Sequence, residues 1–498
     1  MAPGLPARLS FAPAPPIRWT RPGISSAHRF RFPSGPAAPV RGHDFPPAMT
    51  SHATTPDGAA PAPARALDAR DYKTLALSAL GGTLEFYDFV IYVFFATVLG
   101  ALFFPVDMPD WLRQLQTFGI FAAGYLARPL GGIVIAHFGD VLGRKRMFTL
   151  SIFLMAAPTL VIGLLPTYAS IGVAAPLLLL AMRVLQGAAI GGEMPGAWVF
   201  VGEHVPAQRY GFGIGTLTSG ITGGILLGSL VAVAINRHYA PEQVHDFAWR
   251  IPFILGGVFG LVSVYLRRFL HETPVFRELA DRRSVARELP LRTVLREHRG
   301  ASVFVALQTW VLSAAIVVVV LYTPTYLQKV HHIPAALALE ANALATLTLT
   351  IGCVIVGWAS DRIGTRAVML IGWGGLFATA YLFYTGLPGT PATLFWHYGL
   401  VGLFVGTIAT VPIAGVRAFP APVRFTGLSF AYNMSYAVFG GLTPVILTLW
   451  LQHDPMAPAH YVAVLAALGF VLALWPLAAR GHPMRAGVAS GGGATMSR

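Results

Sequence analysis

The chain has 498 residues, 55% of them hydrophobic and only 11% charged, far less charge than a soluble globular domain carries. The surplus apolar content must face lipid. The net charge of +14 comes with no aromatic-basic motif, so a nucleic-acid partner is not expected, and the single cysteine, Cys353, excludes internal disulfides and cysteine-cluster metal sites.

Residues 1–70 are rich in Pro, Ala and Arg without apolar periodicity and are expected to be a disordered cytoplasmic tail. Segments of about 20 apolar residues, long enough to cross a bilayer, then predict spans near 73–102, 112–138, 147–166, 175–202, 210–236 and 249–270. A second set lies near 300–327, 335–358, 367–386, 391–416, 425–451 and 459–479. The fold class is therefore all-α integral membrane protein, with twelve transmembrane helices in two six-helix bundles at 71–270 and 300–480. A basic linker at 271–299 joins the bundles, and a tail follows at 481–498. Arg144, Lys145, Arg146, Arg209, nine arginines between 267 and 299, Arg362, Arg366, Arg417 and Arg424 fall on one side of this topology. Arg113, Arg237, Arg250 and Lys329 fall on the other. Lys and Arg accumulate on the cytoplasmic face, which places both termini inside.

The loops after helices 2 and 8 read GDVLGRKR and SDRIGTR, aligning Asp140 with Asp361 and Gly143 with Gly364. This is an internal duplication, one six-helix unit repeated in parallel. Thr365 stands where the first loop has Arg144, so the two loops are not equally basic. In helix 5, Gly220, Gly224 and Gly228 form a ladder that lets a neighbouring helix approach closely.

Within GGTLEFYDFVIYVFFA, residues 81–96, two carboxylates interrupt a run that lipid would accept. Glu85 lies roughly 18 Å into the bilayer at 1.5 Å per residue, and Asp88 and Tyr92 share its helical face. An ionised carboxylate there costs on the order of 2.5–3.5 kcal/mol, so packing alone does not account for two. One reading is a proton carrier, with Asp88 first, Glu85 second and Glu193 as a further candidate. The other is a salt bridge to Arg128 in helix 2 or Arg183 in helix 4. Arg128 suits a substrate carboxylate, which a guanidinium grips in bidentate fashion; Gly131 beside it allows close helix approach. Arg183, Gln186, Ile190, Glu193 and Ala197 share one face of helix 4, which is expected to line a cavity. Pro195 is expected to bend that helix. In the second half Gln308 and Tyr322 of helix 7, and Asn433 and Tyr436 of helix 11, can shape and hydrogen-bond a substrate. Arg250 is expected to snorkel or to line the external mouth. No phosphate-binding GK pair, HExxH or GxSxG occurs, which argues against an ATP-driven pump and against a membrane enzyme.

EFYDF, ARPLGG, GDVLGRKR, RVLQGAAIGGE and WRIPF, in this order and on these helices, resemble the metabolite:proton symporter family of the major facilitator superfamily. The resemblance implies proton-coupled symport of a small organic acid in a bacterial inner membrane, or of a zwitterion such as proline or betaine as the alternative. It also implies a gate made by Asp140, Gly143 and Arg144 with Glu203, and by Asp361 with Gly364. Protons, a small molecule and the lipid bilayer are then the partners; a monomer is expected, and no cofactor or metal. Drug antiporters of the superfamily carry a Gly-Pro motif in helix 5, and no proline lies between 207 and 240.

Overall fold

In the computed structural model, residues 69–131, 144–191, 193–267, 290–387, 390–420 and 423–476 are described. The expected tails, Asp140, Gly143 and most of the basic linker lie outside them, as do the side chains of Glu85, Glu193 and Arg144. Among the described residues there is no strand. Eight helices are long and apolar enough to cross a membrane, nine if the bent pair Pro241–Ala248 and Arg250–Ser263 counts as one span.

In chain order the helices are α1 (Ala69–Phe94, continued by Ala96–Phe103), α2 (Asp110–Leu126), α3 (Arg144–Leu164), α4 (Ala174–Ile190 and Glu193–His204), α5 (Tyr210–His238) and α6 (Arg250–Arg267). There follow α7 (Arg299–Ile316, a π-helical turn Val317–Tyr322, then Thr323–Lys329), α8 (Ala335–Ile363), α9 (Thr365–Gly386) and α10 (Pro391–Val405 to Thr410–Ala418). α11 (Arg424–Ser435, a π-turn Tyr436–Gly440, then Gly441–Trp450) and α12 (Ala457–Ala473) complete the order. Part of the expected linker is itself helical, Pro290–Glu297. The first segment of α4 ends at Ile190, and Pro195 lies in the second, Glu193–His204.

Packing follows the duplication. α1 lies on α5 and α6, and α3 on α4 and α6. In the second half α8 and α9 lie on α10, α9 and α7 on α12, and α7 on α11. The two halves meet where α5 runs along α8 and where α2 meets α11. Small residues set these approaches. A Cβ on Gly224 would fall 2.3 Å from the Thr83 carbonyl of α1, and one on Gly187 of α4 would fall 1.7 Å from the Gly124 carbonyl of α2. Without large side chains between them the backbones come into contact, and van der Waals packing replaces the hydrophobic drive that lipid cannot provide.

Candidate functional site

At the junction of α2 and α11, Tyr125 stacks on Tyr436 with ring centroids 5.3 Å apart and planes 3° from parallel. Arg128 follows Tyr125 by three residues, so a helix places both on one face. Its guanidinium carbon lies 4.5 Å from the Tyr436 ring centroid, 5.5 Å from that of Tyr125 and 5.8 Å from that of Tyr432. Arg128 is fully buried and, among the described residues, forms no ion pair; the Tyr432 side chain is its hydrogen-bonding neighbour, too poorly aligned to satisfy its nitrogens. Trp198 of α4 packs edge-on against Tyr432 at 5.1 Å, and its indole N–H is also unpartnered. The cluster therefore joins α2 and α4 of one half to α11 of the other. A cation held mainly by ring faces keeps most of its hydrogen-bonding capacity for something else.

Arg183 is equally buried but differently placed. It donates through Nη1 to the Phe89 carbonyl at 3.2 Å and to Gln186 Oε1 at 2.9 Å, and lies over the rings of Phe89 and Tyr92, each at 4.5 Å. Gln186 in turn donates to Thr159 Oγ1 at 2.6 Å, and Tyr92 donates to the Thr117 carbonyl at 2.9 Å. The helix 4 face expected to line a cavity is thus sealed, at Arg183 and Gln186, against α1, α2 and α3.

Asp88 is 2% exposed. It faces α6, where a Cβ on Gly256 would fall 2.5 Å from its Oδ1 and one on Gly260 would fall 3.3 Å from its Oδ2. Among the contacts of the described residues, the alternative reading of a salt bridge to Arg128 or Arg183 is not found, and Asp88 meets other groups. Asp88 turns towards the glycine face of α6, whereas Arg183 donates to the Phe89 carbonyl and Gln186, and Arg128 lies among the rings of Tyr125, Tyr432 and Tyr436.

In the second half, Gln308 is buried with both amide atoms unpartnered. Tyr322 is hydrogen-bonded to Thr448 at 3.3 Å and packs on Phe118 of α2 at 5.4 Å. Asn433 donates to the Gly191 carbonyl in the break of α4 and to the Ser429 carbonyl. Asp361 accepts from the first amides of α5, Gly211 N–H at 2.7 Å and Phe212 N–H at 2.8 Å, as a carboxylate should at a helix N-terminus. Beyond it Gly364 has φ +87°, a conformation open to glycine. Glu203 meets Arg424 of α11 at 3.2 Å, both side chains largely buried. Arg250, half-buried, donates to the Gly163 and Leu165 carbonyls and so caps the end of α3. The sequence reading passed over Tyr125 and Trp198, although the spacing of Tyr125 to Arg128 was the available signal.

Two sets of membrane-length helices that pack together around a buried arginine are the architecture of a multi-pass membrane protein. The chain belongs to the Major Facilitator Superfamily, which its residues 89–444 match. It is 35% identical over 421 residues to a protein of Staphylococcus aureus strain MSSA476 named as a candidate proline/betaine transporter, covering 80% of this chain and 87% of that one. It is 33% identical to the proline/betaine transporter of Salmonella typhimurium and 32% identical to that of Escherichia coli K12, each match covering 81% of this chain and 83% of the relative. The proton:xylose symporter XylE shares the fold, with a TM-score of 0.65 at 16% identity over 81% of this chain and 94% of that one. The protein is a transporter and not an enzyme.

Proposed function

We propose that this protein takes up a small zwitterion of the proline or betaine type together with a proton, by alternating access of residues 71–270 against 300–480. The observation that carries the reading is Arg128 among Tyr125, Tyr432 and Tyr436. A carboxylate needs donors, and a guanidinium offers them in a fork. A quaternary or secondary ammonium needs no anion; ring faces attract it. One cluster holds both complements. The relatives named for proline and betaine transport favour this substrate over the organic acid that the sequence first suggested. Asp88 is the leading proton carrier, with Glu85 and Glu193 as alternatives, and the membrane is the bacterial plasma membrane with both termini inside. Glu203 with Arg424, and Asp361 on the start of α5, close the cytoplasmic side.

The organic-acid reading keeps one support: Arg128 and Arg183 are two buried cations without a carboxylate partner among the described residues, and such a pair attracts net negative charge. Uptake into proteoliposomes under an imposed proton gradient separates the two. Proline or glycine betaine should accumulate and a protonophore should collapse it. Accumulation of 2-oxoglutarate, citrate or shikimate with neither zwitterion transported would overturn the proposal.

A further inference from the structure

The π-turn of α7 begins in the β-branched run Val317–Val320 and ends just before Pro324. Within it the Thr323 N–H bonds to the Val318 carbonyl, five residues back. Continuing that register, the Val319 carbonyl would accept from residue 324, but a proline has no N–H. A buried carbonyl left this way costs about as much as a lost hydrogen bond. The structure fills the gap from another helix: the hydroxyl of Tyr398, on α10, lies 2.5 Å from the Val319 oxygen.

Tyr398 Oη is also 2.7 Å from the Asn342 side-chain amide of α8, and that amide is 3.2 Å from Ser229 Oγ of α5. All four residues are fully buried. One hydroxyl proton cannot serve both the Val319 carbonyl and an amide oxygen. With the Asn342 amide oriented so that its NH2 faces Tyr398, the hydroxyl proton goes to Val319, Asn342 Nδ2 donates to Tyr398 Oη, and Ser229 donates to Asn342 Oδ1. The Val319 carbonyl and the Asn342 oxygen are then both satisfied, the Ser229 proton going to Asn342 instead of the Leu339 carbonyl 3.3 Å away. The chain of bonds runs from α5 in the first half, through α8 and α10, to the turn of α7. That turn carries Tyr322, whose ring meets Phe118 of the first half.

We propose that Tyr398 and Asn342 are positioning residues for the transport cycle. Tyr398 replaces the N–H that Pro324 lacks and so holds the wide turn of α7; Asn342 ties that turn to α5, so that sliding at the α5–α8 interface and movement of Tyr322 against Phe118 occur together. Neither residue touches substrate. The inference rests on the alternating-access part of the reading above and not on the identity of the substrate.

The test is a distance measurement that needs no substrate. Spin labels placed at Trp111 and Val330, exposed at the neighbouring ends of α2 and α7, in a Cys353→Ala background, report the separation of those ends. Tyr398→Phe keeps the ring against Phe383 (centroids 4.7 Å apart) and removes only the hydroxyl. It should change the ratio of separated to apposed populations about tenfold, the equivalent of one buried hydrogen bond. Pro324→Ala, which returns an N–H to residue 324, should restore the parental ratio in the Tyr398→Phe background. Ser229→Ala and Tyr398→Phe, although not in contact, should be non-additive because both act through Asn342. An unchanged ratio in Tyr398→Phe, failure of Pro324→Ala to restore it, or strict additivity each overturns the proposal. Should Tyr398→Phe fail to fold alone, recovery of the folded protein by adding Pro324→Ala supports the proposal, and its absence overturns it. Proline and betaine uptake can fail in the parental protein without touching this result.

Discussion

Replacing Arg128 tests the site most directly, because the structure assigns opposite signs to its effects on stability and on binding. The guanidinium is fully buried, without an ion pair among the described residues, and held by ring faces at 4.5, 5.5 and 5.8 Å. Ring contacts of this kind contribute about 0.5–2 kcal/mol each, while an uncompensated buried charge costs several. Arg128→Met, which keeps the stem and removes the charge, should therefore leave the substrate-free protein as stable as the parent or raise its melting temperature. Binding should move the other way. Each hydrogen bond to a charged group contributes about 1.5–3 kcal/mol, and lysine loses one limb of the fork. Arg128→Lys should weaken proline or betaine binding by about one to two powers of ten, and Arg128→Met by more. Calorimetric titration of purified protein gives the affinity, and thermal unfolding in the same detergent gives the stability. Unchanged affinity in Arg128→Met would falsify the anchor. A fall in stability of several kcal/mol would instead mean that the guanidinium holds the fold.

Asp361→Ala removes the carboxylate that receives the Gly211 and Phe212 amides and should raise labelling of a cysteine introduced at Arg209, about fivefold for the loss of roughly 1 kcal/mol at a helix N-terminus; unchanged labelling excludes a latch there. Gly187→Ala puts a methyl 1.7 Å from the Gly124 carbonyl, so α2 and α4 must part, and the yield of monodisperse protein should collapse while exposed Gly374→Ala is silent. Asp454, outside the membrane-spanning segments, has its carboxyl held below the ordinary value of 3.8 by His460 at 2.8 Å and by the Met456 N–H. A depressed folded-state value means stability present above the unfolded pKa and lost as pH falls through the folded one. The melting-temperature difference between the parent and Asp454→Asn should hence persist at pH 5–7, on the order of a degree or less for so exposed a pair, and vanish below the ordinary carboxylate range; a difference that grows on acidification would contradict the pairing.

The fold was legible because lipid imposes a coarse rule: long apolar runs, basic loops on one side and a repeated loop sequence leave few alternatives. The glycine ladder of α5 was legible for the same reason, and it packs on α1 through Ala79, Thr83, Phe86 and Val90. Directions within the bundle were not. Helical spacing gives the face a side chain occupies but not which neighbouring helix that face meets, so Asp88 could be placed at a depth but not against α6. Pairings such as Arg424 with Glu203 and Tyr125 with Tyr436 join residues more than 200 positions apart, and no local pattern encodes them. The π-turn left a trace, four valines and a proline, but its partner Tyr398 lies on another helix.

Whether Asp88 and Arg128 meet directly decides what coupling has to mean here. Had they formed an ion pair, proton and substrate would compete for one guanidinium, and binding one would expel the other. Instead a continuous path separates them. Asp88 Oδ1 and the Thr159 methyl both lie within 3 Å of the point where a Gly256 Cβ would sit, at 2.5 and 2.7 Å. Thr159 accepts from Gln186, Gln186 accepts from Arg183, Arg183 lies over Phe89, and Phe89 packs on Tyr125 at 4.8 Å. If Asp88 carries the proton, its charge state acts first on the fit of α6 against α1 and α3, and only through that packing on the ring beside Arg128. Substrate affinity and the proton site are then separable by mutation. Arg128→Lys should lower affinity while leaving the pH midpoint of transport within about 0.3 unit of the parent, because a residue outside direct contact contributes well under 1.36 kcal/mol to that midpoint. Gly256→Ala, which crowds the carboxyl, should shift the midpoint and spare affinity. A midpoint displaced by a full unit in Arg128→Lys would return the two groups to direct exchange.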